Sequence, residues 1–507
     1  MRHLSFSVLA TLIGASLAAA PSTALAKDLL IKNVTVISGE RDAPLTGANV
    51  LVEDGRIVTL AAPADSDAEV TIDGTGKFLI PGLIDSHVHL YHATGLKRRY
   101  TDDFERIYDG FLDQLPRSFL YFGYTSVVEL NASPGANERF AGAPLHPRLL
   151  HCGHGLVLSN GFMSLDFSPE EFKARFPHYL YDNYGGASLP EDVDPADHAP
   201  QTVIRRLQDE GAVCIKLYYE EALWMPGGPP PFALPSVEIV RDVVAAAHAA
   251  GMPVLLHATT PDGHRFALET GVDILAHGLW EWPGTSYAVE TVPSDIQAVA
   301  DAVAAAAIAL QPTMRTIRNT ESMFDPGVLG DPRLPSVLTI EHIDYLNGPA
   351  QSQRDGFLDF FGDLIVEGGE RKAVAEHLRT FNRRYERLIG AMAADGANLL
   401  FGTDTTVGGF GWGNPPGLNG YLEMRGWRDA GVPLRTIFEA ATMRNAEAFG
   451  LADEVGLVSP GLRADLLLLT ANPLETLQAY DRIETVILGG EAIQREDLSA
   501  RRSTAKN

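Results

Sequence analysis

The sequence PGLIDSHVH at residues 81–89 combines a short apolar run with two histidines that stand two residues apart. The run from Leu83 to Leu90 has the composition of a buried β-strand, and alternate residues of a strand face the same side. The imidazoles of His87 and His89 can therefore reach one metal ion together. Two ordinary histidines would fit the same pattern, so the interpretation depends on the rest of the chain.

Seven further short apolar runs follow this strand, and helical patterns such as the one from Val237 to Ala250 separate most of them. Strands that are buried on both faces of a parallel sheet have this near-continuous apolar character. Eight β/α units predict a (β/α)₈ TIM-like barrel, whose functional residues lie at the C-terminal ends of the strands. Long connections at 157–200 and 315–385 are typical of lids or substrate walls. The seven runs are Thr125 to Leu130, Leu149 to Leu156, Ala212 to Tyr219, Val254 to Ala258, Ile274 to Leu279, Ala309 to Met314 and Leu399 to Thr405.

Single polar residues stand late in three of these runs, namely His257, His277 and Asp404. Together with His87 and His89 they are predicted to converge at one end of the barrel. Imidazole nitrogens and carboxylate oxygens suit Zn²⁺ or a similar divalent ion. Any one of the histidines could be a core residue with satisfied hydrogen bonds, but the convergence of all five residues favours a metal site.

Lys216 is the lone charged residue of the run from Ala212 to Tyr219. A buried ammonium is costly, and burial lowers the pKa of a lysine. A neutral amine can capture carbon dioxide and form a carbamate, which is an anionic two-oxygen ligand able to bridge two cations. Two alternatives stay open: the side chain reaches the strand end, or it forms an ion pair with a nearby acid.

The sequence patterns at both ends of the chain differ from those of the middle. Short alternating strands with Asp-Gly turns occupy 27–80, and similar strands return in 455–497. Such patterns predict small β-sheet units, and two β segments at opposite ends of a chain often pair. We therefore expect these segments to flank the barrel at 81–454, with a short C-terminal tail at 498–507.

The first residues predict export from the cytoplasm. An apolar run from Leu4 to Ala20 and the small-residue pattern Ala24-Leu25-Ala26 fit a signal peptide over 1–26. A retained N-terminal anchor is the alternative. After cleavage we expect a periplasmic or secreted protein without membrane contact. In that compartment a disulfide is chemically possible, but Cys152 and Cys214 stand in apolar strand-like runs and are predicted to be buried free thiols.

The net charge of −25 narrows the range of partners. A strong negative field disfavours nucleic acid and anionic membrane surfaces. The expected partner is a small-molecule substrate, and the sequence leaves open whether the protein is a homo-oligomer.

The motifs quoted above, with Gly123-Tyr124-Thr125, Ala276-His277-Gly278 and Gly402-Thr403-Asp404, make the chain similar to the amidohydrolase superfamily over nearly its full length. The resemblance implies a TIM-like barrel with a small β-sandwich that both terminal segments form. It also implies two divalent metal ions, with Zn²⁺ favoured. One ion would bind His87, His89 and Asp404, the other would bind His257 and His277, and carboxylated Lys216 would bridge them.

The mechanism that the resemblance implies is hydrolysis of a C–N bond by a metal-bridging hydroxide. Asp404 would act as general base and then as general acid toward the leaving nitrogen. No Gly-x-Ser-x-Gly nucleophile motif competes with this interpretation.

Within the superfamily, the stretch around His257 and the position of His277 resemble the imidazolonepropionase-like and prolidase-like branch. The expected substrate is an N-acyl amino acid, a dipeptide or an aryl amide, contacted by Tyr219, Thr259 and Trp280. Prolidase-like members often carry a tyrosine where this chain has Thr259, which leaves dipeptidase activity open. Three alternatives remain: a mononuclear deaminase that has little use for Lys216, a lactonase or phosphotriesterase on the same centre, and a non-catalytic binding protein.

Overall fold

The computed structural model describes residues 28–503 except for 165–166, 186–188, 190–192, 224–231, 284–288, 322–326, 354, 357–370 and 407–412. The predicted signal peptide at 1–26 and the last four residues of the predicted tail lie outside the described residues. So do parts of both long connections. Among the helices that the structure describes, none has the length and hydropathy needed to cross a bilayer.

One eight-stranded sheet contains strands from both ends of the chain, in the order β15-β14-β13-β5-β1-β2-β3, with β4 beside β1. The two ends meet where β13 pairs antiparallel with β5, with Leu467 opposite Ile80. Alternate residues of β2, namely Ala48, Val50 and Val52, are buried because strand side chains alternate between two faces. The strands are β1 (Leu29–Val36), β2 (Leu45–Glu53), β3 (Arg56–Thr59), β4 (Val70–Asp73), β5 (Phe78–Pro81), β13 (Leu466–Leu469), β14 (Ile483–Leu488) and β15 (Glu491–Gln494).

Seven parallel strands between these segments confirm an α/β fold with parallel strands. They form one sheet in the order β6-β7-β8 and a second in the order β12-β11-β10-β9. Every residue of β6, β7, β11 and β12 is buried, as expected for strands that are covered on both faces. The strands are β6 (Leu83–Val88), β7 (Tyr124–Glu129), β8 (Arg148–His151), β9 (Ile215–Tyr218), β10 (Val254–His257), β11 (Ile274–Ala276) and β12 (Ala309–Gln311).

The eighth predicted strand, Leu399 to Thr405, is not a continuous strand. It forms two isolated parallel bridges, from Leu399 to Leu310 and from Thr405 to Val88. The backbone of Asp404, one residue before the second bridge, lies in the left-handed region, with φ of 56°, which a regular strand does not adopt. A third bridge, from Leu156 to Leu217, connects the two parallel sheets.

Helices follow most of the parallel strands and bury one face against them. In the helix Val237–Ala249, buried Ile239, Val240, Val243 and Val244 recur at helical spacing, and Ser236 caps the first turn by accepting from the backbone N–H of Ile239. The α-helices are α1 (Phe104–Tyr121), α2 (Pro134–Ala141), α3 (Pro169–Arg175), α4 (Pro200–Asp209), α5 (Val237–Ala249), α6 (Pro261–Thr270), α7 (Ser294–Ala305), α8 (Met314–Glu321), α9 (Ile340–Asn347), α10 (Arg371–Ala394), α11 (Leu418–Asp429), α12 (Leu434–Glu439), α13 (Asn445–Ala448) and α14 (Ala500–Ser503). Shorter 3₁₀ turns and one π-helical turn at Ala440–Arg444 complete the pattern.

The prediction of two free thiols is wrong, because Cys152 and Cys214 form a disulfide. Cys152 directly follows β8, and Cys214 directly precedes β9. The backbone N–H of Val213 donates to the carbonyl of His151, which holds the two segments side by side and leaves the cysteine Cα atoms 4.4 Å apart. Both residues are fully buried, as predicted, but burial alone did not reveal that they are neighbours.

Candidate metal centre

His87, His89 and Asp404 form one group of three potential ligands at the end of β6. The Oδ1 atom of Asp404 lies 3.3 Å from Nε2 of His87 and 3.1 Å from Nε2 of His89. The backbone N–H of Asp404 donates to the carbonyl of His87 over 2.8 Å, which fixes the position of the aspartate. The three donor atoms lie within 4.8 Å of one another, as a shared metal ion requires.

Local backbone geometry brings these groups close together. A Cβ atom at Gly402 would lie 2.8 Å from Cβ of His87, so the glycine allows the two segments to approach. Asp404 has a φ of 56°, and His277 has a φ of 117°. Residues other than glycine rarely adopt a positive φ, and such backbone strain is often found at functional sites. Two of the six predicted ligands therefore stand on strained backbone.

His257, His277 and Lys216 lie beside this group and complete the predicted set. The ring centroids of His257 and His277 are 4.6 Å apart, and those of His87 and His277 are 5.0 Å apart. Lys216 on β9 is paired in register with Leu255 on β10, two residues before His257. The Nζ atom of Lys216 is buried without a hydrogen-bond partner among the described residues. The structure thus brings all six predicted ligands into one cluster.

In each of the four histidines, one ring nitrogen is hydrogen-bonded to a side-chain oxygen atom, and the other ring nitrogen is available for a metal ion. Nδ1 of His87 lies 3.1 Å from Oε1 of Gln311, and Nδ1 of His89 lies 3.2 Å from Oε1 of Glu129. Nδ1 of His277 lies 2.8 Å from Oγ1 of Thr313, and Nε2 of His257 lies 2.8 Å from Oε2 of Glu220. Metal-binding histidines are usually oriented in this way by a second hydrogen bond, so the donor set fits divalent metal ions.

The surroundings favour the charged form of Asp404 and the uncharged form of Lys216. Burial opposes ionisation of Asp404, yet the imidazoles of His87 and His89 beside its carboxylate hold the pKa of Asp404 well below its ordinary value. Burial lowers the pKa of Lys216 to about 7. A substantial fraction of Lys216 is therefore an uncharged amine at neutral pH, and that is the form that reacts with carbon dioxide.

The three residues predicted to contact substrate lie at different distances from the cluster. The Trp280 ring is 5.1 Å from the His277 ring, whereas the Tyr219 ring packs 4.6 Å from Phe266 of α6. Thr259 is buried and donates to Glu281 over 2.6 Å. Because alternate residues share a side, Tyr218 faces the cluster with Lys216, and its ring lies 5.6 Å from that of His257. The roles of Tyr219, Thr259 and Trp280 in substrate binding stay predictions.

The orienting residues are the part of the site that sequence reasoning missed. Glu129 and Gln311 are the last residues of β7 and β12, so a ligand-type side chain late in an apolar run, the signal that marks His257, could have found them. Glu220 and Thr313 stand in the connections after β9 and β12, where polar residues are common and carry no such signal. Phe162, whose ring is stacked 6.0 Å from that of His257, lies in the long connection after β8.

The chain is similar to several known proteins. The amidohydrolase family model matches residues 78–493. An imidazolonepropionase of Aromatoleum aromaticum is 28% identical over 46% of this chain and 58% of its own length. An L-hydantoinase of Paenarthrobacter aurescens is 39% identical over 14% of this chain and 15% of its own length. A solved Xaa-Pro dipeptidase with bound methionine in its active site superimposes with a TM-score of 0.60 at 19% identity, over 92% of this chain and 100% of the other.

The matches define a class of metal-dependent hydrolases. The chain belongs to the amidohydrolase family, as predicted, and an imidazolonepropionase and a prolidase-like structure are among the proteins that it resembles. The solved neighbour carries information about the fold alone at this level of identity. The chain spans less than two thirds of the length of the two curated relatives, so their activities are not transferred to it directly.

Proposed function

We propose that the protein hydrolyses a carbon–nitrogen bond of the amide or peptide type with two divalent metal ions, Zn²⁺ being favoured. The observation that carries the proposal is the convergence of six potential ligands in which a hydrogen bond orients each histidine. His87, His89 and Asp404 would hold one ion, and His257 and His277 would hold the other. Lys216, carboxylated by carbon dioxide with release of a proton, would bridge them.

Bound metal ions would supply Lewis acidity toward the substrate carbonyl and lower the pKa of a water molecule. Asp404 serves as the proton acceptor, because its carboxylate is buried and held in the charged form. Oγ1 of Thr316 donates to Oδ2 of Asp404 over 3.1 Å, which leaves Oδ1 directed at the two histidines. The proton then passes from Asp404 to the leaving nitrogen.

The substrate class that the surroundings favour is an N-acyl amino acid or dipeptide with a free carboxylate. The guanidinium of Arg175 lies 4.9 Å from the centroid of the Tyr91 ring, which in turn lies 6.3 Å from the His89 ring. Arg175 forms no ion pair with a carboxylate among the described residues. A half-buried cation beside the centre suits a substrate carboxylate, while Phe162, Tyr218 and Trp280 offer aromatic surface to an apolar acyl group.

The role of Arg175 is tested with pairs of substrates that differ in one group, a free carboxylate or its primary amide. Arg175→Ala should raise KM for the carboxylate by about 10- to 100-fold, the worth of a charge-assisted hydrogen bond, and leave the amide nearly unchanged. Lys173→Ala on the same helix is the matched control. Equal effects on both substrates would exclude carboxylate recognition by Arg175 and favour a neutral aryl amide.

The hydrolytic centre is tested by metal content and turnover together. Purified protein should contain about two metal ions per chain. Lys216→Ala should lose metal and activity, with partial rescue by short carboxylic acids. Asp404→Asn should keep the fold and lose turnover. Full activity of the Lys216 variant would eliminate the carbamate.

Two other activities would give different results in the same assays. One ion per chain, with release of ammonia from a heterocycle, would indicate a mononuclear deaminase. Turnover of lactones or phosphotriesters in preference to amides would indicate the other binuclear alternative.

Three further features are proposed with this function. The seven parallel strands and the Leu399 to Thr405 segment would close into a TIM-like barrel, and the three isolated bridges between them support this. The terminal sheet would form the small β-sandwich. The protein would be exported after cleavage of 1–26, and N-terminal sequencing of the mature protein tests this.

A further inference from the structure

A second group of potential metal ligands lies outside the centre described above. His154 follows β8, His178 follows α3, and Glu210 directly follows α4. Each offers one donor atom, and the three donor atoms lie within 4.8 Å of one another. The rings of His154 and His178 are 6.1 Å apart, and Nε2 of His178 lies 2.8 Å from Oε1 of Glu210.

The burial of His178 indicates that its contact with Glu210 is more than a surface ion pair. His178 is 8% exposed, and its Nδ1 atom is buried without a hydrogen-bond partner in the described part of the chain. Nε2 of His178 faces Oε1 of Glu210, and the His154 ring lies beside it, so Nε2 is the nitrogen that can share a cation with these two groups.

The donor types select the class of ion. Two imidazoles and one carboxylate suit Zn²⁺ and its neighbours in the first transition series better than Ca²⁺ or Mg²⁺, which prefer oxygen ligands. Donor atoms on tetrahedral Zn²⁺, with bonds of about 2.0–2.1 Å, lie roughly 3.3 Å apart. The three donor atoms here lie within 4.8 Å of one another, and Nε2 of His178 is 2.8 Å from Oε1 of Glu210. Glu210 is about half exposed, which leaves solvent as the fourth ligand.

We propose that His154, His178 and Glu210 form a peripheral site for a divalent transition metal ion such as Zn²⁺. The ion would join both ends of the segment 154–178 to the end of α4. That segment contains Phe162, whose ring is stacked at 16° on His257 and lies 5.7 Å from the Tyr218 ring. Occupancy of the site therefore restrains one wall of the proposed catalytic centre without supplying a ligand to it.

The test counts zinc bound to the full-length protein after equilibrium dialysis at micromolar free Zn²⁺. His154→Ala and Glu210→Gln should each bind one equivalent fewer than the unmodified protein. His248→Ala is the matched control, because His248 lies 2.9 Å from Asp273 and belongs to no three-ligand group in the described residues. The proposal fails if both variants keep the full number of equivalents, or if His248→Ala loses one as well.

A second measurement tests the restraint on the segment, with hydrogen exchange of the peptides from 154 to 178 as the readout. Zinc should slow exchange there in the unmodified protein and much less in His154→Ala at the same zinc concentration. Equal protection in both proteins would overturn the proposed restraint. Metal content of the catalytic centre is measured in the same samples, so failure of the binuclear proposal is recognised separately.

Discussion

Removal of the disulfide between Cys152 and Cys214 should destabilise the fold by an amount that follows from its place in the chain. The two cysteines stand 62 positions apart, and the cross-link limits the conformations of that loop in the unfolded state. The chain-entropy relation gives a stabilisation of about 4 kcal/mol for a loop of this length. Because both cysteines are fully buried between neighbouring segments, we expect most of this value to appear in the folding equilibrium.

The assay is denaturant unfolding of the unmodified protein and of the double variant Cys152→Ala/Cys214→Ala, followed by the fluorescence of the five tryptophans. The variant should unfold at lower denaturant concentration, with a free energy of unfolding lower by about 4 kcal/mol. When the unmodified protein is unfolded, reduced and refolded, its free energy of unfolding should fall close to that of the variant. Reductant should not change the free energy of unfolding of the variant. Equal midpoints, or two reactive thiols in the denatured protein without reductant, would refute the reasoning.

Two further predictions concern acid stability and metal affinity. Burial lowers the pKa of His342 to about 4, so the unfolded state takes up the proton first as pH falls below about 6.5 and the free energy of unfolding drops by about 3 kcal/mol by pH 4. His342→Gln, whose amide can still donate to the carbonyl of Thr94, should remove that part of the pH dependence in urea titrations, and an unchanged slope would contradict the assignment. Glu129→Gln removes the charged acceptor for His89 and should weaken metal binding by about 10- to 100-fold in chelator competition, whereas unchanged affinity would show that Glu129 does not act through His89.

The six candidate ligands could be predicted from sequence because parallel strands bring their C-terminal ends to one edge. A polar residue late in an apolar run therefore marks that edge, as His257 and His277 do, whereas Lys216 is marked by being the lone charged residue of its run. The eighth strand was less predictable. Its sequence is as apolar as the others, yet Asp404 takes a left-handed backbone conformation that no single-residue pattern indicates.

Contacts between distant segments could not be predicted from the sequence for a different reason. The alternation of a strand gives the face of each residue but not the relative position of two segments that are separated by a long connection. Cys152 and Cys214 were recognised as buried, although their pairing depends on how β8 and β9 lie side by side. The peripheral group could not be predicted for the same reason, because His154, His178 and Glu210 belong to three separate connections.

The orienting hydrogen bonds distinguish the two metal sites in physical terms. Nε2 of Gln311 donates to the carbonyl of Ser86 over 2.9 Å and to its hydroxyl, so Oε1 of Gln311 must face Nδ1 of His87. A reversed amide would leave buried donors and acceptors unpaired at a cost of about 1–3 kcal/mol for each group. The protein therefore selects the tautomer of His87 whose Nε2 is free for metal.

The peripheral group lacks such an arrangement. Nδ1 of His178 has no partner among the described residues, and Glu210 is about half exposed. Its ligands must be ordered when the ion binds, and that entropy opposes binding. We therefore expect the peripheral ion to be held less tightly than the ions of the catalytic centre. A weakly held ion can leave and return as its concentration changes, which suits a site that restrains one wall of the centre rather than one that takes part in the reaction.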